Sequence, residues 1–272
     1  ELCAIAEPTH GLITNIGRAH VGNFGGFENI IRTKSELYQF LISSNGTVWI
    51  NSKEEILKNM SKRFASPLFY PFEGDDYHAE LISASPFVKL QAENGEEIQT
   101  SMVGAYNFDN MAAALAIGKY FDVPAEAANK AVGTYVPDNN RSQIIKRGSN
   151  TIIMDAYNAN PSSMEVALKN LASMEAENKV VILGDMYELG DESDVEHRKL
   201  GEFVQKAGFS KAYFCGALIA VAKSTCPDGV YCETKDELQQ VLADTRFQNT
   251  TILLKASRGI GLESVLDSIS DH

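Results

Sequence analysis

The chain has too few basic residues to balance its acidic ones: 24 Lys and Arg stand against 36 Asp and Glu, a net charge of -12 over 272 residues. That balance opposes nucleic acid or an anionic membrane as the main partner and leaves room only for a local anion site. Long apolar runs are missing too. No stretch reaches the ~20 residues a membrane span needs, and the N-terminus has no basic segment followed by an apolar one, so neither insertion nor secretion is expected. The four cysteines, Cys3, Cys215, Cys226 and Cys232, form no C-x-x-C pair. Most lie in apolar runs, as reduced core thiols do, which favours a cytosolic compartment. There is no internal repeat and no low-complexity tract. An initiating Met is also lacking. Glu1-Leu-Cys-Ala-Ile-Ala-Glu7 reads as the last turns of a helix, and something upstream is expected to have been removed.

What is present is a recurring unit. Four apolar, β-type runs each end in a polar loop: Gly11 to His20, Thr151 to Pro161, Lys179 to Gly190 and Thr251 to Gly259. Strands of a parallel sheet covered on both faces are apolar along their length, and their C-terminal ends face the crevice where ligands bind. The polar chemistry is therefore expected on one edge. The length suits about two domains at ~100–200 residues each, and 44% hydrophobic content suits ordinary cores.

The pattern changes near residue 143. Before it, the spacing predicts a strand at 11–16, a helix at 28–41, a strand at 46–51, a helix at 54–64 and a strand near 68–71. Residues 78–103 alternate apolar and polar around Asn94-Gly95, the mark of an antiparallel hairpin. Helices at 107–121 and 124–132 follow, and Tyr135-Val-Pro-Asp-Asn-Asn-Arg-Ser142 breaks every periodicity, as an interdomain hinge would. Beyond it, strands near 151–155, 180–184, 211–215, 229–232 and 251–255 alternate with helices near 163–174, 194–207, 217–224 and 235–243, with a last one at 261–270. That order predicts an α/β domain with a parallel sheet. Ser162-Ser-Met-Glu165 has the form of a capping box for the 163–174 helix.

Several residues sit where their chemistry is unusual. Ile30, Lys34, Leu37 and Leu41 fall on one helix face, so a cation occupies an apolar stripe. Lys34 is either a snorkelling lysine or an amine whose proton is easily lost in a low-dielectric site. His20 ends the preceding run among glycines, as a hydrogen-bonded structural residue or a metal ligand. Asn107 and Asn110 stand at a helix start, where one could cap it; alternatively, an Asn amide offers the donor and acceptor that match an adenine edge. Asp155 ends a strand, with Asn158 and Asn160 in the loop beyond. Turn chemistry explains the asparagines, while an acid beside a helix N-terminus suits a sugar hydroxyl or polar substrate. Asp185 and Glu188 occupy the equivalent loop of the next strand, or form a solvated acidic turn. Lys255, Ser257 and Arg258 bring two cations and a hydroxyl to the last strand end, a grouping suited to a carboxylate or phosphate.

These segments carry a resemblance. Asn15-Ile-Gly-Arg-Ala-His20 with Phe24-Gly25, Lys34-Ser-Glu36, Asn107-Phe-Asp-Asn110, Asp155-Ala-Tyr-Asn-Ala-Asn-Pro161, Gly184-Asp-Met-Tyr-Glu-Leu-Gly190 and Lys255-Ala-Ser-Arg258 occur in the order seen in the Mur ligases, over nearly the whole chain. The Tyr-Asn-Ala-Asn-Pro and Gly-Asp-Met-x-Glu-Leu-Gly segments resemble the branch that adds D-alanyl-D-alanine to UDP-N-acetylmuramoyl-tripeptide in peptidoglycan synthesis. The resemblance implies an ATP- and Mg²⁺-dependent amide ligase of three domains, cytoplasmic and monomeric, that phosphorylates a carboxylate and lets an amine attack the acyl phosphate. Residues 1–143 would be the C-terminal part of the central ATP-binding domain, with a mostly parallel sheet and an antiparallel portion, and 144–272 the Rossmann-like C-terminal domain.

Carried over by motif, His20 would bind Mg²⁺, and Lys34 would be carbamylated so that its oxygens support a second metal. Asn107 and Asn110 would hold adenine, Arg141 the phosphates and Asp155 the ribose. Asn158, Asn160, Asp185, Lys255, Ser257 and Arg258 would surround the dipeptide. Some positions depart from the family: Val21-Gly22 replace the usual Leu-Glu, and Tyr106 replaces a histidine. No G-x-x-G-K-[S/T] nucleotide loop occurs in the 272 residues, so the chain alone is expected to be an inactive fragment. Other readings are a folylpolyglutamate synthase-like ligase, against which the Tyr-Asn-Ala-Asn-Pro segment speaks, a phosphoacceptor module built on Asp155, Asp185 and Lys255, and a non-catalytic interaction module.

Overall fold

A computed structural model of the chain describes residues 1–17, 26–138 and 140–269. Two compact units emerge, the first from Glu1–Gly17, residues 26–101 and Ala105–Tyr135, the second chiefly from Val136 onward.

In the first unit, α1 (Leu2–Ala6) leads to β1 (His10–Leu12), α2 (Phe27–Ser43), β2 (Thr47–Asn51), α3 (Glu55–Ser61) and β3 (Leu68–Tyr70). The strands form a parallel sheet in the order β1-β2-β3. The first strand is shorter than its apolar run suggested. Close packing of α2 on it needs Gly11, where an added Cβ would lie 2.6 Å from Leu41. Along α2, Ile30, Tyr38 and Leu41 are buried and Lys34 is half-buried at the margin of the stripe.

Instead of a single hairpin, β4 (Ala79–Ser83), β5 (Lys89–Ala92) and β6 (Glu97–Gln99) make a three-stranded antiparallel sheet. The expected Asn94-Gly95 turn joins β5 to β6, with Gly95 at φ 82°, where a side chain would be strained. Helices α4 (Tyr106–Tyr120) and α5 (Ala125–Thr134) complete the unit.

The second unit contains β7 (Gln143–Arg147), β8 (Asn150–Asp155), α6 (Pro161–Ser173), β9 (Asn178–Gly184), α7 (Ser193–Ala207), β10 (Lys211–Cys215), β11 (Val230–Cys232), α8 (Lys235–Ala243) and β12 (Thr250–Lys255). Its sheet runs β11-β10-β9-β12-β8-β7, parallel except for β7. Every residue of β12 is buried, and Ile152, Met154, Val180, Ile182 and Leu254 belong to one core. Burial of each such side chain contributes about 1.5–3 kcal/mol.

Three local expectations are corrected. Residues 143–147 form an edge strand, β7, antiparallel to β8, where no strand was foreseen after the hinge; Gly148 at φ 55° allows the tight return. The N-cap of α6 is Asn160, two residues before the expected box. Its side chain accepts the Ser163 N–H, while Ser163 Oγ accepts the Asn160 N–H. Pro161 explains the shift, since its fixed φ and missing N–H suit the first helical position. Finally, the segments expected as helices at 217–224 and 261–270 are 3₁₀ turns at Ile219–Ser224 and Leu262–Ser268, a form used for short pieces.

Candidate active site

In the second unit the parallel register brings three loops to one edge. Lys255 at the end of β12 lies opposite Asp155 at the end of β8 and Leu183 near the end of β9. Lys255 is 2% exposed, and its Nζ donates to Asp155 Oδ2 at 2.5 Å and to the Asn158 carbonyl at 3.2 Å. The other carboxylate oxygen of Asp155 accepts the Ser142 N–H at 3.2 Å. The pair expected to touch ribose and dipeptide is thus engaged internally, tying the β8 and β12 loops together.

Asp185 and Ser257 behave alike. Asp185 is buried and its Oδ1 accepts the Ile219 N–H at 2.7 Å, in the space beside Gly216 where a Cβ would lie 2.3 Å from that oxygen. Ser257 is buried, its Oγ accepts the Tyr187 N–H at 2.9 Å and its own N–H reaches the Asp185 carbonyl at 3.0 Å. A phosphoacceptor aspartate must present an open carboxylate, so this arrangement speaks against that alternative. Asn160 caps α6, as described. Asn158 is exposed, with Oδ1 on the Ala159 N–H.

The side chains that face solvent at these strand-end loops include Asn158, Arg141, Tyr157 and Arg258, together with Tyr187 and Glu188. The Arg141 guanidinium lies 3.8 Å from the centroid of the Tyr157 ring, and that of Arg258 lies 5.9 Å from it. Tyr157 escaped the sequence reading, although an aromatic between Asp155 and Asn158 in a strand-end loop was the available signal.

His197 on α7 was also missed. It is fully buried; Nε2 accepts the Met186 N–H at 3.0 Å and Nδ1 donates to the Ser193 carbonyl at 2.8 Å, a pattern that needs a neutral ring. Burial lowers its pKa, against the raising influences of the Ser193 hydrogen bond and of Asp185, Asp194 and Glu196. Because the folded ring binds its proton less readily than the unfolded one, this contribution is complete above the ordinary value of 6.5 and is lost as pH falls from there through the lowered folded value. Protection of the amides around Met186, taken relative to the intrinsic exchange rate at each pH, should therefore fall on acidification below that value, and His197→Gln should flatten the dependence. An unchanged slope in the variant would assign the effect elsewhere.

In the first unit, Asn110 Nδ2 donates to Asn107 Oδ1 at 3.2 Å, with Asn107 buried and Asn110 exposed. The residue at the helix N-cap is Ala105, so neither asparagine serves as the cap. Lys34 Nζ donates to the Asn15 carbonyl at 2.8 Å. Partial burial pulls its ammonium below the ordinary lysine range, against the pull of Glu54. Glu54 is itself pushed up by burial and then by Asp109, with Lys53 and Lys34 opposing. Lys53 bonds Asp109 at 2.7 Å, so the end of β2 is tied to the first turn of α4. His20 lies outside the described residues.

Among the described residues no group of three His, Cys, Asp or Glu could hold a metal ion. A lysine ammonium is not a ligand either. Its neutral amine, however, adds CO₂ and releases a proton to give a carbamate whose single negative charge is shared by two oxygens, and a half-buried lysine with a lowered pKa suits that chemistry.

Comparison with known proteins bears on the whole chain. Residues 1–118 match the family model of the Mur ligase middle domain, and residues 140–258 that of the Mur ligase, glutamate ligase domain. The chain belongs to the Mur ligase family. Curated relatives of this Mur ligase chain include the UDP-N-acetylmuramoyl-tripeptide--D-alanyl-D-alanine ligases of Bacillus subtilis, 32% identical, and Rickettsia prowazekii, 27% identical. Each comparison covers 98% of the chain, and the chain spans 60% and 62% of those two relatives. A crystal structure of MurF from Acinetobacter baumannii superposes with a TM-score of 0.81 at 26% identity, covering 97% of this chain and 60% of that one. MurF from Thermotoga maritima, in complex with ADP, gives 0.84 at 22% identity, covering 98% and 63%, and shows the shared fold. The α/β architecture expected from the sequence is that of this family.

Proposed function

We propose that this Mur ligase chain belongs to an enzyme that joins D-alanyl-D-alanine to UDP-N-acetylmuramoyl-tripeptide with ATP and Mg²⁺, acting in the cytoplasm as a monomer. The observation that supports it most is the cationic, solvent-facing group of Arg141, Asn158 and Arg258 at the strand-end edge, resting on buried loops stitched by Asp155, Lys255, Asp185 and Ser257. The naming of the curated relatives points the same way.

The roles are assigned unit by unit. Asn107 and Asn110 offer amide groups to adenine, with the Asn110 to Asn107 bond holding their orientation. Arg141 takes phosphate oxygens, and Arg258 with Asn158 takes the carboxylate end of the dipeptide. Asp155 and Lys255 act beneath them as the rigid floor of both loops, and the ribose contact first given to Asp155 falls to the loop it anchors. His20 and carbamylated Lys34 would hold Mg²⁺, which when bound neutralises charge developing on the transferred phosphoryl group.

The test is phosphate release by the complete gene product, which should require ATP, the UDP-linked tripeptide and the dipeptide together. Arg258→Ala should raise the KM for D-alanyl-D-alanine by about thirtyfold or more and that for ATP much less, since loss of a partner from a buried carboxylate costs about 2–5 kcal/mol. Equal rises for both substrates would count against the assignment, and turnover without the dipeptide would remove the ligase reading.

A further inference from the structure

Tyr157 supports two cations that come from different parts of the second unit. Arg141 precedes β7, Arg258 follows β12, and Tyr157 lies in the loop after β8. The ring is 40% exposed, with one guanidinium 3.8 Å and the other 5.9 Å from its centroid. Two like charges gathered on one side chain repel each other, and a protein surface offers them wide alternatives. Two features oppose their dispersal. The negative face of the ring attracts both guanidiniums, and Glu263 holds Arg258 Nη1 at 3.3 Å. The floor under the ring is stiff, because Asp155, two residues earlier, is locked by Lys255 and by the Ser142 N–H next to Arg141.

We infer that Tyr157 is a positioning residue that sets Arg141 and Arg258 as the two arms of one anion clamp, for a phosphoryl group on the Arg141 side and a carboxylate on the Arg258 side. The inference rests on the ligase reading above and adds what that reading leaves open, namely how two anionic groups are brought to neighbouring positions. A pair of separately mobile arginines would each have to lose side-chain freedom on binding, whereas guanidiniums already held at the ring, and in Arg258 also by Glu263, have lost part of it beforehand. The same ring makes the two arms interdependent.

In the complete gene product, Tyr157→Leu should raise the KM values for ATP and for D-alanyl-D-alanine together, each by about tenfold. Tyr157→Phe and Tyr157→Trp, which keep a ring face, should return both to within about twofold of the parent. Inhibition by inorganic pyrophosphate should weaken in Tyr157→Leu in proportion to the ATP effect. Should Tyr157→Leu yield no folded protein, Tyr157→Gln tests the same loss of the ring. Arg141→Ala and Arg258→Ala serve as references, the first acting mainly on ATP and the second on the dipeptide. If both arginine variants act in this way while removal of the ring leaves both KM values unchanged, the clamp is overturned and the ligase reading stands. If neither arginine variant changes either KM, the assignment of these residues to substrate fails and takes the clamp with it.

Discussion

Asp155→Asn should destabilise the second unit by about 3–5 kcal/mol, the usual cost of leaving one member of a buried ion pair without its counter-charge. Lys255 is 2% exposed, and its Nζ sits 2.5 Å from the carboxylate that would be lost. The Ser142 N–H can keep its acceptor, because the amide retains one oxygen, so the loss falls on Lys255. Amide exchange in β8 and β12 is the measurement of choice. The only tryptophan, Trp49, lies in the first unit, and a chain of two units need not unfold in one step. Adding Lys255→Met to Asp155→Asn should recover much of the protection, since an apolar stem of similar length no longer needs a counter-ion. If Asp155→Asn alone left exchange in both strands at the parent rate, the pair would be of little consequence to stability.

The second large effect concerns Lys34. In the complete gene product, Lys34→Ala should lower turnover by about a thousandfold, the upper end of what removal of one charge-stabilising group usually costs. Bicarbonate or a short carboxylate should restore part of it by replacing the lost oxygens. Desolvation lowers the pKa of this amine, so more of it is free to react with CO₂ at neutral pH than for an exposed lysine. The carbamate has the opposite charge to the ammonium, and the reaction with CO₂ should accordingly quicken as pH rises through the lowered pKa. Near-normal turnover in Lys34→Ala would leave only the hydrogen bond to the Asn15 carbonyl, a structural contact, as the role of the side chain.

The sheet of the second unit was legible because its strands are buried on both faces and read as unbroken apolar runs: Thr250–Lys255 and Asn178–Gly184 were located to within a residue or two. Edge strand β7 was not, since its residues are at most half-buried and give no such run, and a tight turn rather than a crossover helix joins it to β8. The cap of α6 was misplaced because two polar residues competed for it and only the backbone decides between Asn160 and Ser162. The polar edge itself followed from strand ends alone. What the sequence does not express is which of its side chains are occupied. Asp185, Lys255 and Ser257 have the composition of a binding site, yet each is buried against a neighbouring loop. Tyr157 and His197 gain their importance only from partners: Arg141 and Arg258 for the first, the Met186 N–H for the second.

The order β11-β10-β9-β12-β8-β7 leaves two open margins on the larger sheet. An open margin is a template for another strand, and so a route to association of unrelated chains through their backbones. Neither margin here is a good template. β11 is three residues long, which permits too few ladder bonds to hold a visiting strand. On the other side, β7 is five residues long and ends in Lys146 and Arg147, charged side chains of the kind that discourage pairing at an edge. The apolar interior strands, which have the composition of fibril-forming segments, are thereby sealed between margins that discourage sheet growth.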